Sequence, residues 1–207
     1  NAKDCPIDSV IDYSDIDDVN LEDIGGVKTG IKEIDKELMK LFFGTFNVLT
    51  GINGSGKTSF LSQLICQTLE QGENAWLYSG ELPNHQTKNW ISFILTGQRH
   101  LKQYQDGESI YWRASKEVKD KLNDFYRDRL YIYKDGLSRK SSNLLKSMEE
   151  TVRKNGVKLL IIDNLTAMNL EANDNNKYEK QADLITELID FAKKFNVIVI
   201  MVVHPHK

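Results

Sequence analysis

Residues 45–58 read TFNVLTGINGSGKT, and the rest of the chain takes its place from them. Phe46–Thr50 has strand character and runs directly into a turn carrying Gly51, Gly54 and Gly56. Gly51 to Thr58 fits G-x-x-x-x-G-K-[ST] in full, after a strand and at the start of a helix, where the pattern has physical meaning. Glycines let successive backbone N–H groups turn inward around phosphate oxygens, and the helix N-terminus adds its positive end. The expected cradle is Gly51, Ile52, Asn53, Gly54, Ser55, Gly56, Lys57, Thr58 and Ser59. Lys57 is placed to reach the β- and γ-phosphates of ATP or another nucleoside triphosphate, and the Thr58 hydroxyl to bind Mg²⁺. The bland alternative is a glycine-rich turn that only caps a helix; pattern and context together speak against it.

Outward from this turn the chain alternates strand and helix. The segment 58–72 puts Phe60, Leu61, Leu64, Ile65 and Leu69 on one helical face, and Gly72 stops it. AWLYS at 75–79 is the next strand, followed by a helix from Pro83 to about Leu95. Ser115 caps a helix with Val118, Leu122 and Phe125 on one face, and LYIYK at 130–134 is a strand. Ser141 or Ser142 caps a helix carrying Leu144, Leu145, Met148 and Val152, which Asn155-Gly156 ends. VKLLIID at 157–163 and VIVIMVV at 197–203 are strands, joined by a polar loop and a helix through Phe195. Residues 99–112 show no periodicity that assigns them. The alternation predicts an α/β fold, a mainly parallel sheet covered by helices on both faces. LLII and VIVIMVV do not alternate polar with apolar, so both belong to central strands.

A chain of 207 residues suits one domain with a sizeable core. Its net charge of −3 gives no global basic footprint, so nucleic-acid contacts would come from local loops or from assembly. Cys5 and Cys66 have neither metal-like nor disulfide-like spacing and read as free thiols of a reducing compartment. Residues 3–23 are acidic, with Ile7, Val10, Ile11, Tyr13 and Ile16 scattered among the carboxylates. They read as an arm over 1–25 ahead of a core over 26–207. No apolar run is long enough to span a membrane and no secretory leader is visible, so the expected location is the cytoplasm of a bacterial or phage-infected cell.

Three further residues fall just past strand ends. Asp163 ends LLIID; downstream of a phosphate loop such an acid is the expected Mg²⁺ partner, usually through water. Glu81, in AWLYSGELPNH, is either a surface acid favoured by the dipole of the following helix or the base that activates water. His204 follows VIVIMVV and is either structural or a hydrogen-bonding partner of the γ-phosphate. Ligands of open α/β sheets bind outside the carboxyl ends of strands. Gly51–Thr58, Glu81, Asp163 and His204 all point there, which favours the catalytic readings.

With these residues in place a resemblance is evident. TGIKEIDKEL, GTFNVLTGINGSGKTSFLSQL and the run from LLIIDNLTAMNL to VVHPHK resemble the RecA-like ATPase domain of DnaB-like hexameric replicative helicases, closest to the Twinkle and phage primase-helicase branch. The resemblance covers Gly26 onward, with 99–128 poorly matched. It implies a spatial strand order, naming each strand by one residue, of Leu130, Ala75, Leu160, Ile200, Val48. It implies Glu81 as catalytic base, with Lys57 and His204 as catalytic partners, and Thr58 and Asp163 at the metal. It also implies a ring laced together by the arm, and single-stranded DNA held by loops near Lys177 and Lys207. For the first of these loops, 171–180, a solvated linker is the alternative.

The chain departs from the family at its C-terminal end. It stops where the family continues into further strands and the arginine finger, so this stretch is expected to be C-terminally incomplete and weakly active alone. A recombinase-type or clock-type RecA-like ATPase is the nearest rival reading. A P-loop small-molecule kinase is the rival from another class; it would need an acceptor pocket and no water-activating glutamate.

Overall fold

The computed structural model describes residues 10–164, 168 and 176–204. A two-stranded antiparallel ribbon, β1 (Gly26–Val27) and β2 (Leu41–Phe42), flanks helix α1 (Lys32–Leu38). Then come β3 (Phe46–Thr50), α2 (Lys57–Glu70), β4 (Asn74–Ser79) and α3 (Asn84–Thr96). An antiparallel hairpin follows, β5 (Leu101–Asp106) and β6 (Ser109–Ala114), leading to α4 (Lys116–Tyr126) and β7 (Leu130–Ile132). The described elements end with α5 (Ser141–Asn155), β8 (Val157–Asp163), α6 (Lys177–Phe195) and β9 (Ile198–Val203).

The five-stranded sheet has the order β3-β9-β8-β4-β7, and all its pairings are parallel. This is the order the resemblance implied, with β9 between the phosphate-loop strand and the Asp163 strand. The fold is RecA-like: a parallel sheet with helices on both faces.

Strand periodicity sorts the core into two layers. On β8, Leu160 and Ile162 join Met148, Leu144 and Leu188 beneath α5 and α6. Leu159 and Ile161 point the other way, to Leu61, Leu64, Ile65 and Ile91 of α2 and α3. On β9, Val199 and Met201 face the first layer, and Ile198, Ile200 and Val202 the second. Both strands are therefore buried on both sides, which is why neither shows polar alternation.

Local signals decide the element ends. Ser115 caps α4, its hydroxyl accepting from the Val118 N–H. Gly156 closes α5 in the left-handed region, at φ 61°. At the start of α5 the expected serine cap is corrected: Lys140 holds the N-cap position without a side-chain cap. Its carbonyl accepts from the N–H groups of Asn143 and Leu144, so the helix takes in both serines. Residues 101–114, unassigned from sequence, form the hairpin; Gly107 at φ 58° makes its two-residue turn with Glu108.

In the arm, Val10, Ile11, Tyr13, Ile16, Val19 and Leu21 are all exposed. Ile7 and Cys5 lie outside the described residues. Cys66 is buried in α2, and burial pushes its thiol up to about 12, so it is an inert packing residue.

Met148 is fully buried between α5 and the sheet. Met148→Ala should destabilise the fold by about 2–5 kcal/mol, as large-to-small core changes do, measured by urea unfolding.

Candidate active site

Sheet register brings the site together. Thr50 pairs with Val203, so Gly51 and His204 leave neighbouring strands side by side. Ser79 pairs with Asp163, so the turn carrying Glu81 starts beside that acid. The Gly80 N–H donates to the Asp163 carbonyl, and the Leu82 N–H donates to the Ser79 hydroxyl at 3.2 Å, which turns Glu81 inward.

The phosphate loop is held open from within. Gly56, at φ 88°, is the N-cap of α2, and no side chain caps the helix there. Its leading N–H groups therefore remain available to an anion. Lys57 curls back over the loop, its Nζ donating to the carbonyls of Gly51 at 2.7 Å and Ile52 at 3.0 Å. Residues 52–56, Thr58 and Ser59 are exposed.

Opposite the loop, Glu81 sits between two partners. Its Oε1 lies 2.9 Å from His204 Nε2, an ion-pair approach, and it accepts from the side-chain amide of Asn164. Asn164 is buried, 3 % exposed. His204 Nδ1 is buried with no hydrogen-bond partner among the described residues. Burial raises the Asp163 carboxyl above its ordinary value, and the charge of Glu81 adds to this; His204 and Lys57 pull it back.

These features fit a Mg²⁺-bound triphosphate. Lys57 is a cation satisfied only by carbonyls, and His204 keeps an unused ring nitrogen. Asp163 and Glu81 are two carboxylates that repel one another. No cluster of three or more His, Cys, Asp or Glu side chains exists among the described residues. The donor set suits a metal that takes most of its oxygens from phosphate and water, with Thr58 and Asp163 from the protein.

The structure thus gathers Lys57, Thr58, Glu81, Asp163 and His204 at one edge. Sequence reasoning missed Asn164; its only signal was its place directly after the strand-ending acid. The expected DNA loops lie outside the description: residues 171–175, the Lys177 side chain and Lys207 are not described. No helix among the described residues is long and apolar enough to cross a membrane.

A family model described as an AAA domain matches residues 16–207. No curated protein matches the chain. Among solved structures, the ATPase domain of a DnaB-like helicase superposes with a TM-score of 0.68 at 17 % identity, over 89 % of this chain and 65 % of that one. The chain thus spans about two thirds of that structure's length. A KaiC-like protein from the hyperthermophilic archaeon Pyrococcus horikoshii superposes with a TM-score of 0.61 at 20 % identity, over 88 % of this chain and 71 % of that one.

The raised Asp163 gives a pH test. Its contribution to stability is fully present below the unfolded value of about 3.9 and is lost as the pH rises through the raised folded-state value. Near neutral pH the ionised carboxylate weakens the ligand-free fold. Asp163→Asn should therefore raise Tm by a few degrees at about pH 7, with no difference by about pH 3. Mg²⁺-nucleotide should stabilise the wild type more than the variant, as thermal melts with and without it will show.

Proposed function

We propose, on the premise that this chain belongs to the AAA-domain family and is a DnaB-like RecA-fold ATPase domain, that it is the motor domain of a replicative DNA helicase. It hydrolyses ATP with Mg²⁺, and in the full-length protein it assembles as a ring on single-stranded DNA. The observation that carries the hydrolytic reading is the Glu81 carboxylate at the sheet edge, 2.9 Å from His204 and across from the phosphate loop.

The γ-phosphate lies against the N–H groups that open α2 and against Lys57, which exchanges its loop carbonyls for phosphate oxygens. Bound Mg²⁺ neutralises charge on the β- and γ-oxygens, with Thr58 and Asp163 supporting it. Glu81 takes a proton from the attacking water as its oxygen adds to the γ-phosphorus and the bond to the β-bridging oxygen breaks. His204, with one ring nitrogen unused, turns from Glu81 toward the transferred phosphoryl group. Asn164 keeps Glu81 aimed while His204 moves. A general base so placed is worth about 10²–10⁴ in rate.

The acidic arm over 1–25 and the loops near Lys177 and Lys207 complete this reading, the arm as a contact to the next subunit and the loops as the DNA grip. A recombinase-type or clock-type ATPase would use the same edge, and the likeness to a KaiC-like protein favours it as the second reading. The two differ in whether turnover answers to DNA.

Two measurements test the proposal. Glu81→Gln should keep nucleotide binding and lose turnover by about 10²–10⁴, whereas Lys57→Ala should weaken binding itself. Equal loss of binding in both would make Glu81 structural. Phosphate release by the full-length protein should rise with single-stranded DNA; turnover indifferent to DNA would favour the clock-type reading.

A further inference from the structure

Beside the phosphate loop, on the side away from β9, a cleft of about 760 Å³ opens between α3, β6 and α4, with Thr58 on its wall. Three aromatic side chains line it and stay accessible: Trp90 at 43 %, Phe93 at 42 % and Trp112 at 51 % exposure. Trp90 and Phe93 are already stacked, 6.4 Å between centroids with 23° between planes. Arg113 and Lys119 also line the cleft, and no carboxylate does. In a chain with 30 acidic against 27 basic residues, that selects for an anion. Asn89 adds an amide that can both donate and accept on the edge of a planar ring.

The flat π-surface continues past the mouth. Arg113 lies 3.9 Å from the Tyr104 ring centroid, and Tyr104 stacks on Tyr111 at 5.9 Å and 14°. Aromatic faces with cations and no acids make the surface on which bases stack while their phosphates are neutralised. The series from Trp90 to Tyr111 is longer than one mononucleotide covers.

We propose that this cleft and the outer face of the β5–β6 hairpin bind single-stranded nucleic acid. Bases stack on Trp90, Phe93 and Trp112, and backbone phosphates meet Lys119 and Arg113. The site is separate from the loops near Lys177 and Lys207. Its test reads equilibrium binding, so its failure would leave the hydrolytic reading standing.

Trp76 is buried in the core, so fluorescence changes on binding report Trp90 and Trp112. The phosphate loop is first saturated with Mg²⁺ and a non-hydrolysable ATP analogue. The full chain is then titrated with a short oligothymidylate and, separately, with thymidine monophosphate. The oligonucleotide should quench fluorescence, and Trp112→Ala and Lys119→Glu should each weaken its binding by about ten-fold, as expected for one lost base stack or phosphate contact. Both positions are exposed, and circular dichroism checks that the variants remain folded. Absence of quenching overturns the proposal, as does oligonucleotide binding that neither substitution changes. Mononucleotide binding as tight as the oligonucleotide's would also overturn it, in favour of a small-ligand pocket.

Discussion

Parallel register between the strands is the constraint from which the site follows. Ser79 is locked opposite Asp163, and Thr50 opposite Val203. Slipping β4 or β9 by one residue would turn its buried side chains to the wrong layer, because side chains alternate with a period of two. The two core layers, one around Met148 and one around Leu64, thus fix where each strand ends. The catalytic candidates begin within two residues of those ends. Hydrophobic sorting positions the polar edge without any contact among the polar groups themselves.

That edge is held at a cost to the fold. Asp163 is partly desolvated and faces a second carboxylate, while His204 has a buried ring nitrogen without a partner. A core selected only for stability would contain none of these. A bound metal and phosphate would relieve all of them together, the sign of a site shaped for an absent ligand.

The parts legible in the sequence are those with a strong local period or motif. Gly51–Thr58 has a fixed spacing, and β8 and β9 are apolar on both faces, so each named its own place. The strand order was legible only through the resemblance, since nothing local makes β9 insert between β3 and β8. The hairpin escaped because its strands are largely exposed: Gln103, Tyr104 and Gln105 on β5 face Ile110, Tyr111 and Trp112 on β6 with no buried side to impose alternation. Its turn signal, Asp106-Gly107, was present. The N-cap of α5 went to Lys140 because its backbone carbonyl met the first helical N–H groups, a role open to any residue. Asn164 could not be singled out, because its partner Glu81 is distant in sequence and meets it only through register.

The pairing of β3 with β9 also orders events in time. Phe46 is made early and Val199 near the end of this stretch, yet they are neighbours in the sheet. Contacts so far apart in sequence form late, after the intervening loop-closure entropy has been overcome. On the ribosome, the strand that carries the phosphate loop must therefore wait at the margin of a growing sheet while β4, β7 and β8 emerge. Only when β9 leaves the exit tunnel can it be wedged in and the loop set beside His204. Nucleotide binding would then report that synthesis of the domain has passed β9, and a nascent chain halted before it would lack the capacity.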